Sequence, residues 1–304
     1  MAKRHLGPAH CPGRPVARRF AGPLRAHPSP VTGAGGAFRA ALGRYRLATS
    51  APRPAVGFQS HWRTVQGVRL HDRVSGPGRD GTIPVVMVHG LAVSHRYLMP
   101  LAARLAGHHR VHVVDLPGFG LSGDPGRVLD VTGHADHLAA WLEAAGLDRA
   151  AVLGNSFGCQ VAVELAVRHP GRVHALILAG PTTDPAARTA SRQILRWLRD
   201  AVREDPLQLP ILLRDVRDAG LGRVARTLAA ALRDPIEDKL PLVAVPALVT
   251  RGVREPIVPD GWAQAAARLL PLGELAVVPA SPHNANYSAA DGLAELVLAF
   301  LRRP

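Results

Sequence analysis

Ala150-Ala151-Val152-Leu153-Gly154-Asn155-Ser156-Phe157-Gly158-Cys159-Gln160-Val161-Ala162-Val163-Glu164-Leu165-Ala166 joins a short apolar run, a serine between glycines and a helix-forming run. Its centre fits the pattern Gly-x-Ser-x-Gly. The apolar run reads as a strand and the residues from Cys159 onward as a helix. A strand that turns sharply into a helix lifts one side chain into a cleft and aims the helix N-terminus at it. The glycines at 154 and 158 let such a turn close without a Cβ clash. Ser156 then sits where free backbone N–H groups and the helix dipole stabilise negative charge. The pentapeptide alone would also describe a solvated serine in a glycine-rich turn, so the rest of the chain has to decide.

Working outward, the chain alternates. Pro84-Val85-Val86-Met87-Val88, Val111-His112-Val113-Val114 and residues 174–179 are continuous apolar strands, as in a sheet covered on both faces. Helices are predicted over 95–107, 131–145 and 157–168. Upstream, 61–65 and 68–74 alternate around Gln66-Gly67 and predict a hairpin, with order starting near Phe58. From 185 to 240 the chain reads as helices only, punctuated by Pro206, Pro210, Gly220 and Gly222. Strand 246–250, helix 259–270, strand 274–278 and helix 288–302 then restore the rhythm. The expected fold class is α/β, a doubly wound and mostly parallel sheet. Its core spans 57–184 and 241–304, and the helical block 185–240 is inserted after the sixth strand, where a lid can sit.

The formal charge of +14 suggests nucleic acid until it is located. Ten of the 37 basic residues and none of the 23 acidic ones fall in 1–56, so the remainder holds 27 against 23. The charge belongs to a leader whose arginines lie among Ala, Gly and Pro without aromatic interleaving. That composition predicts a disordered, dispensable leader and no nucleic-acid partner. Arg18-Arg19-Phe20 is followed by Ala21-Gly22-Pro23-Leu24-Arg25, too broken for a secretory signal. No run of 18 apolar residues exists, so no stable membrane insertion is expected. Cys11 and Cys159 make no disulfide framework, which suits a cytoplasmic setting.

A serine hydroxyl at its free pKa needs a base, usually a histidine oriented by a carboxylate. Of the 15 histidines only His283 lies after His174. It follows the last strand in Pro279-Ala280-Ser281-Pro282-His283-Asn284, at the carboxyl edge of a parallel sheet, where ligands bind. Glu255 follows strand 246–250, and the order Ser156, Glu255, His283 matches the nucleophile-elbow enzymes. Asp184, after strand 174–179, is the alternative acid. Its position also suits the N-cap of the first inserted helix. His108-His109-His112 reads as a surface run, and no metal cluster or cofactor is expected.

Together these segments resemble the α/β-hydrolase superfamily over roughly residues 58–304. The resemblance rests on His89-Gly90, the stretch Asp115-Leu116-Pro117-Gly118-Phe119-Gly120-Leu121-Ser122, the Ser156 elbow, Gly252…Glu255 and Ser281-Pro282-His283. Most such relatives carry Asp where this chain has Glu255. The resemblance implies an oxyanion hole made by the backbone N–H groups of Phe157 and Leu91. It implies structural roles for His89 and for the Asp115–Ser122 turn. The function it implies is serine hydrolysis of an ester or similar small-molecule acyl substrate through an acyl-enzyme. Carbon–carbon bond hydrolysis of a ring-fission diketone stays open, because Asn155 and the helical block resemble that subgroup. A ligand receptor on a hydrolase scaffold stays open too. In the block, Leu195, Trp197, Leu198, Ile211, Leu212 and Leu213 are expected mostly to form its own core. The sequence is silent on substrate identity and oligomeric state.

Overall fold

The computed structural model describes residues 57–303; the basic leader and Cys11 lie outside the described residues. Eight strands form one sheet: β1 (Phe58–Val65), β2 (Val68–Ser75), β3 (Val85–Val88), β4 (Val111–Val114), β5 (Ala150–Asn155), β6 (Val173–Ala179), β7 (Ala247–Gly252) and β8 (Gly273–Val278). Their spatial order is β1-β2-β4-β3-β5-β6-β7-β8. β1 and β2 pair antiparallel around Gln66-Gly67, β2 pairs antiparallel with β4, and β3 through β8 run parallel. The chain reverses its direction of growth at β3, and the crevice of such a switch point lies at the carboxyl ends of the strands.

β3 is apolar throughout and β5 is buried along its whole length, because both faces of the sheet are covered there. Val86, Val88, Val152 and Val249 point into one core with α2 (Val131–Ala144), α3 (Phe157–Arg168) and α8 (Asp260–Leu269). Their neighbours Val85, Met87, Leu153 and Leu248 point into the other, with α1 (His95–Leu105) and α10 (Ala290–Leu301). That alternation is the two-residue period of a strand set between two helix layers. The helix predicted over 288–302 is preceded by a separate short helix, α9 (Ala285–Ser288), with the break at Ala289.

The hairpin differs from its predicted alternation. From Leu70 to Ser75 every residue of β2 is buried. Its polar side chains stay inside because each has a partner: Arg63 donates to Asp72 (2.5 Å), and His71 pairs with Asp115 (2.8 Å). The run His108-His109-His112 also departs from its expected surface position. His112 is only 1% exposed, packs edge-on against Trp141 and hydrogen-bonds Asp72 (3.1 Å). β4 lies between β2 and β3, so its alternate side chains meet α2 rather than water.

Between β6 and β7 come only helices: α4 (Ala190–Ala201), α5 (Leu209–Ala219), α6 (Leu221–Arg233) and α7 (Ile236–Lys239), with short 3-10 turns. Their apolar residues correct the expectation of a self-contained core. Leu195, Leu198, Leu212 and Leu213 are exposed, Leu198 to 63% and Leu213 to 62%, whereas Ile211 is buried and Trp197 packs partly against the sheet core. On α4 the faces are reversed: Gln193 and Asp200, two turns apart, are buried, and Ile194, Leu195 and Leu198 look outward. Beside a few buried apolar residues, polar pairs fasten this segment to α1 and to the loops after β6 and β7. Arg96 pairs with buried Asp215 and with Asp218 (3.3 Å), and Arg196 pairs with Asp184 (2.7 Å) and donates to Ile257 O (3.0 Å).

Candidate active site

β5 ends at Asn155, and α3 starts at Phe157, leaving Ser156 alone in the turn with φ +53°. A non-glycine residue in that region is strained and persists only where its surroundings over-determine it. Here they do. The Ser156 N–H donates to Ala179 O (3.0 Å), and Cys159 N–H donates to Ser156 O (2.9 Å). A Cβ at Gly154 would lie 2.3 Å from Gly158 O, and one at Gly158 would lie 2.4 Å from Val88 O. The elbow closes against its own helix and against β3 only because both positions are glycine.

Strands beyond β6 on the same side of the sheet deliver the other candidates. Glu255 follows β7 and His283 follows β8, and the carboxylate Oε1 accepts a hydrogen bond from His283 Nδ1. The second oxygen, Oε2, accepts the Gly252 N–H (3.0 Å). Gly180, at the end of β6, faces the pair, and a Cβ there would lie 2.8 Å from His283 Cε1. Asp184 is placed elsewhere. It caps the 3-10 turn Pro185–Ala187 by accepting from Ala186 N–H (2.9 Å) and pairs with Arg196. Ser156, Glu255 and His283 are all buried.

With Nδ1 occupied by Glu255, the other imidazole nitrogen, Nε2, is buried and has no hydrogen-bond partner. Burial alone would lower the pKa of His283, but the carboxylates of Glu255, Asp200 and Glu204 outweigh it and raise it to about 9. Burial raises Glu255, against the pull of His283 and the Gly252 N–H. Such an arrangement orients one ring nitrogen and leaves the other free to exchange a proton.

The loop after β3 lies against the elbow, and a Cβ at Gly90 would lie 3.2 Å from Ser156 Cβ. Two residues tie it down. His89 Nε2 accepts Leu116 N–H (3.0 Å), and Nδ1 donates to Gly90 O (2.7 Å), which sets its tautomer and leaves it no proton to transfer. Tyr97, from α1, accepts Gly90 N–H at its hydroxyl (2.8 Å) and donates to Asn155 Oδ1 (2.6 Å). Burial pushes the phenol far up, so it stays protonated as a donor. Sequence reasoning did not single out Tyr97, because it sits on a helix face otherwise read as core. Leu91 follows this tethered Gly90 and packs partly against the sheet core.

Asp115 joins a group that the sequence reading missed. His71, His95 and Asp115 are buried with metal-ligand-type atoms within 4.8 Å of one another. Both imidazoles bond Asp115 Oδ2 (2.8 and 2.7 Å), while His95 and Leu121 N–H groups donate to the same carboxylate (2.7 and 3.0 Å). Burial alone would raise Asp115, yet the two imidazoles hold it well below the usual carboxylate range. Four hydrogen bonds use its acceptor capacity, and the group pins β2, α1 and the turn after β4 together.

A family model described as the alpha/beta hydrolase fold matches residues 83–213. The chain is 29% identical over 258 residues to a pimeloyl-[acyl-carrier protein] methyl ester esterase of Neisseria meningitidis, covering 77% of this chain and 97% of that protein. It is 37% identical over 123 residues to a 2-hydroxymuconate semialdehyde hydrolase of a Pseudomonas species, covering 38% and 40%. Across four curated relatives, that hydrolase among them, the chain spans from 23% to 65% of their length. The structure also superposes on an enol-lactonase from Burkholderia xenovorans with a TM-score of 0.69 at 22% identity, over 80% of this chain and all of that one, a likeness of fold.

Proposed function

Since the chain belongs to the α/β-hydrolase superfamily, we propose that it is a serine hydrolase that cleaves an ester or similar acyl compound. The observation that carries this reading is the Glu255–His283 pair, whose free, buried Nε2 belongs to the strand-end loops around the strained Ser156 elbow. Ser156 Oγ attacks the carbonyl carbon as His283 Nε2 takes its proton. Glu255 holds the ring through Nδ1 and stabilises the imidazolium. The N–H groups of Phe157 and Leu91 receive the oxyanion. His283 returns the proton to the leaving group, and water then releases the acyl group from Ser156 by the same path. In this reading residues 185–240 form a cap over the core 57–184 and 241–304. Cysteine usage is the basis for placing the protein in the cytoplasm; no helix among the described residues is long and apolar enough to cross a membrane.

The likeness to a 2-hydroxymuconate semialdehyde hydrolase supports a second reading, carbon–carbon bond cleavage at the same serine. One experiment tests both. Aryl and alkyl esters and a ring-fission diketone are offered to the full chain and to Ser156→Ala. Serine-dependent ester turnover supports the first reading, and preference for the diketone supports the second. Binding without turnover would overturn both in favour of a receptor.

A further inference from the structure

The end of α4 and the residues after it turn three polar side chains toward the loop that carries His283. Asp200 Oδ1 accepts the His283 main-chain N–H (3.3 Å), and Glu204 Oε1 accepts the Asn284 N–H (2.6 Å). Gln208 Oε1 accepts from the Asn284 side-chain amide (2.9 Å), and its own amide donates to Glu204 Oε2 (2.8 Å). The helical segment thus grips the main chain of two successive residues. Asp200 is 4% exposed. A carboxylate is costly to bury unless donors meet it, and on α4 the donor that meets Asp200 comes from the histidine loop.

We propose that Asp200 and Glu204 are positioning residues that hold the His283–Asn284 main chain to the helical segment, so that His283 is set in place only while that segment is docked. This rests on the reading of His283 as the general base. It gives a physical reason for the reversed faces of α4: the polar face is the working one.

The charges reinforce the geometry. Three carboxylates face His283: Glu255 from the loop after β7, and Asp200 and Glu204 from the helical segment. Burial raises Glu204 to about 8, and Asp200 pushes it the same way. With the segment docked, His283 therefore holds its proton to higher pH than a free imidazole. Removing an acid charge without its acceptor atom makes the base available at lower pH.

The test is kcat and KM against pH on p-nitrophenyl acetate for the full chain, with Asp200→Asn, Glu204→Gln, Asp200→Ala and Ser156→Ala. The two amides keep an oxygen acceptor. They are expected to move the acid limb of kcat/KM about one pH unit lower, which is about tenfold in the fraction of free base. Their kcat at high pH should fall only a few-fold. Asp200→Ala removes the acceptor as well and should lose roughly tenfold more high-pH kcat than Asp200→Asn, with KM little changed. An unmoved acid limb in both amide variants overturns the proposal. So does a high-pH kcat in folded Asp200→Ala equal to that of Asp200→Asn. Should Asp200→Ala fail to fold, the limb positions of the two amides decide. Failure of the functional reading looks different, because Ser156→Ala would then turn over ester at the wild-type rate.

Discussion

The Glu255 carboxylate bridges its own loop and the histidine loop, accepting Gly252 N–H on one oxygen (3.0 Å) and His283 Nδ1–H on the other. The extra methylene of Glu over Asp is thereby accommodated, since the Gly252 N–H turns the side chain back along its loop. Glu255→Gln keeps the shape but offers His283 an amide that can place an N–H against Nδ1. Turnover is expected to fall by roughly 10³–10⁴. Asp184→Asn should leave most activity and lower stability by about 1 kcal/mol as a weakened cap. A crippled Asp184→Asn beside an active Glu255→Gln would reverse the assignment.

Ser156→Ala is expected to abolish labelling by a fluorophosphonate probe and to cut ester turnover by about 10⁴ or more. The melting temperature should not fall, because alanine removes only a hydroxyl while the elbow's backbone bonds remain. Labelling of the alanine variant at the wild-type level would place the nucleophile elsewhere.

In the proposed mechanism His283 must be neutral to take a proton, and its pKa is raised to about 9. kcat/KM should therefore rise with pH and level off only above that value. The linked stability has the opposite slope. A raised histidine stabilises the fold fully below its unfolded pKa of about 6.5 and loses that contribution as pH rises through about 9. Thermal melts from pH 6 to 10 should fall more steeply for wild type than for His283→Asn. A kcat/KM profile already flat at pH 6 would contradict the electrostatics of the site.

Tyr97→Phe removes one hydroxyl and strands two buried groups, the Gly90 N–H and Asn155 Oδ1. Denaturant unfolding should show a loss of about 1–3 kcal/mol. Because Gly90 immediately precedes Leu91, kcat should drop more than KM changes. A stability loss with unchanged kcat would confine Tyr97 to a structural role.

Leu198→Ser and Leu213→Ser should change stability by no more than about 0.5 kcal/mol, since both side chains are exposed. Ile211→Ala, on a buried position of the same segment, should cost about 2–5 kcal/mol. Equal, large losses at all three would mean that the leucines are covered.

Local chemistry in the sequence was enough for the sheet and the elbow. Short continuous apolar runs bounded by turn residues read as strands covered on both faces, and Gly154 and Gly158 allow the close turn between β5 and α3. Strand-end order likewise put Ser156, Glu255 and His283 on the same edge, because parallel strands joined by helices carry all such loops to one side. What the sequence left open depended on partners distant in the chain. Asp184 and Glu255 are equivalent acids until Arg196 and Ala186 claim the first and His283 the second. The burial of His112 follows from β4 being an inner strand, which strand composition does not encode. Asp200 looks like any acid on a helix; it meets the His283 N–H from 83 residues away only because α4 docks with its polar face inward. A helical pattern marks which residues share a face, but only packing against the sheet decides which face is buried.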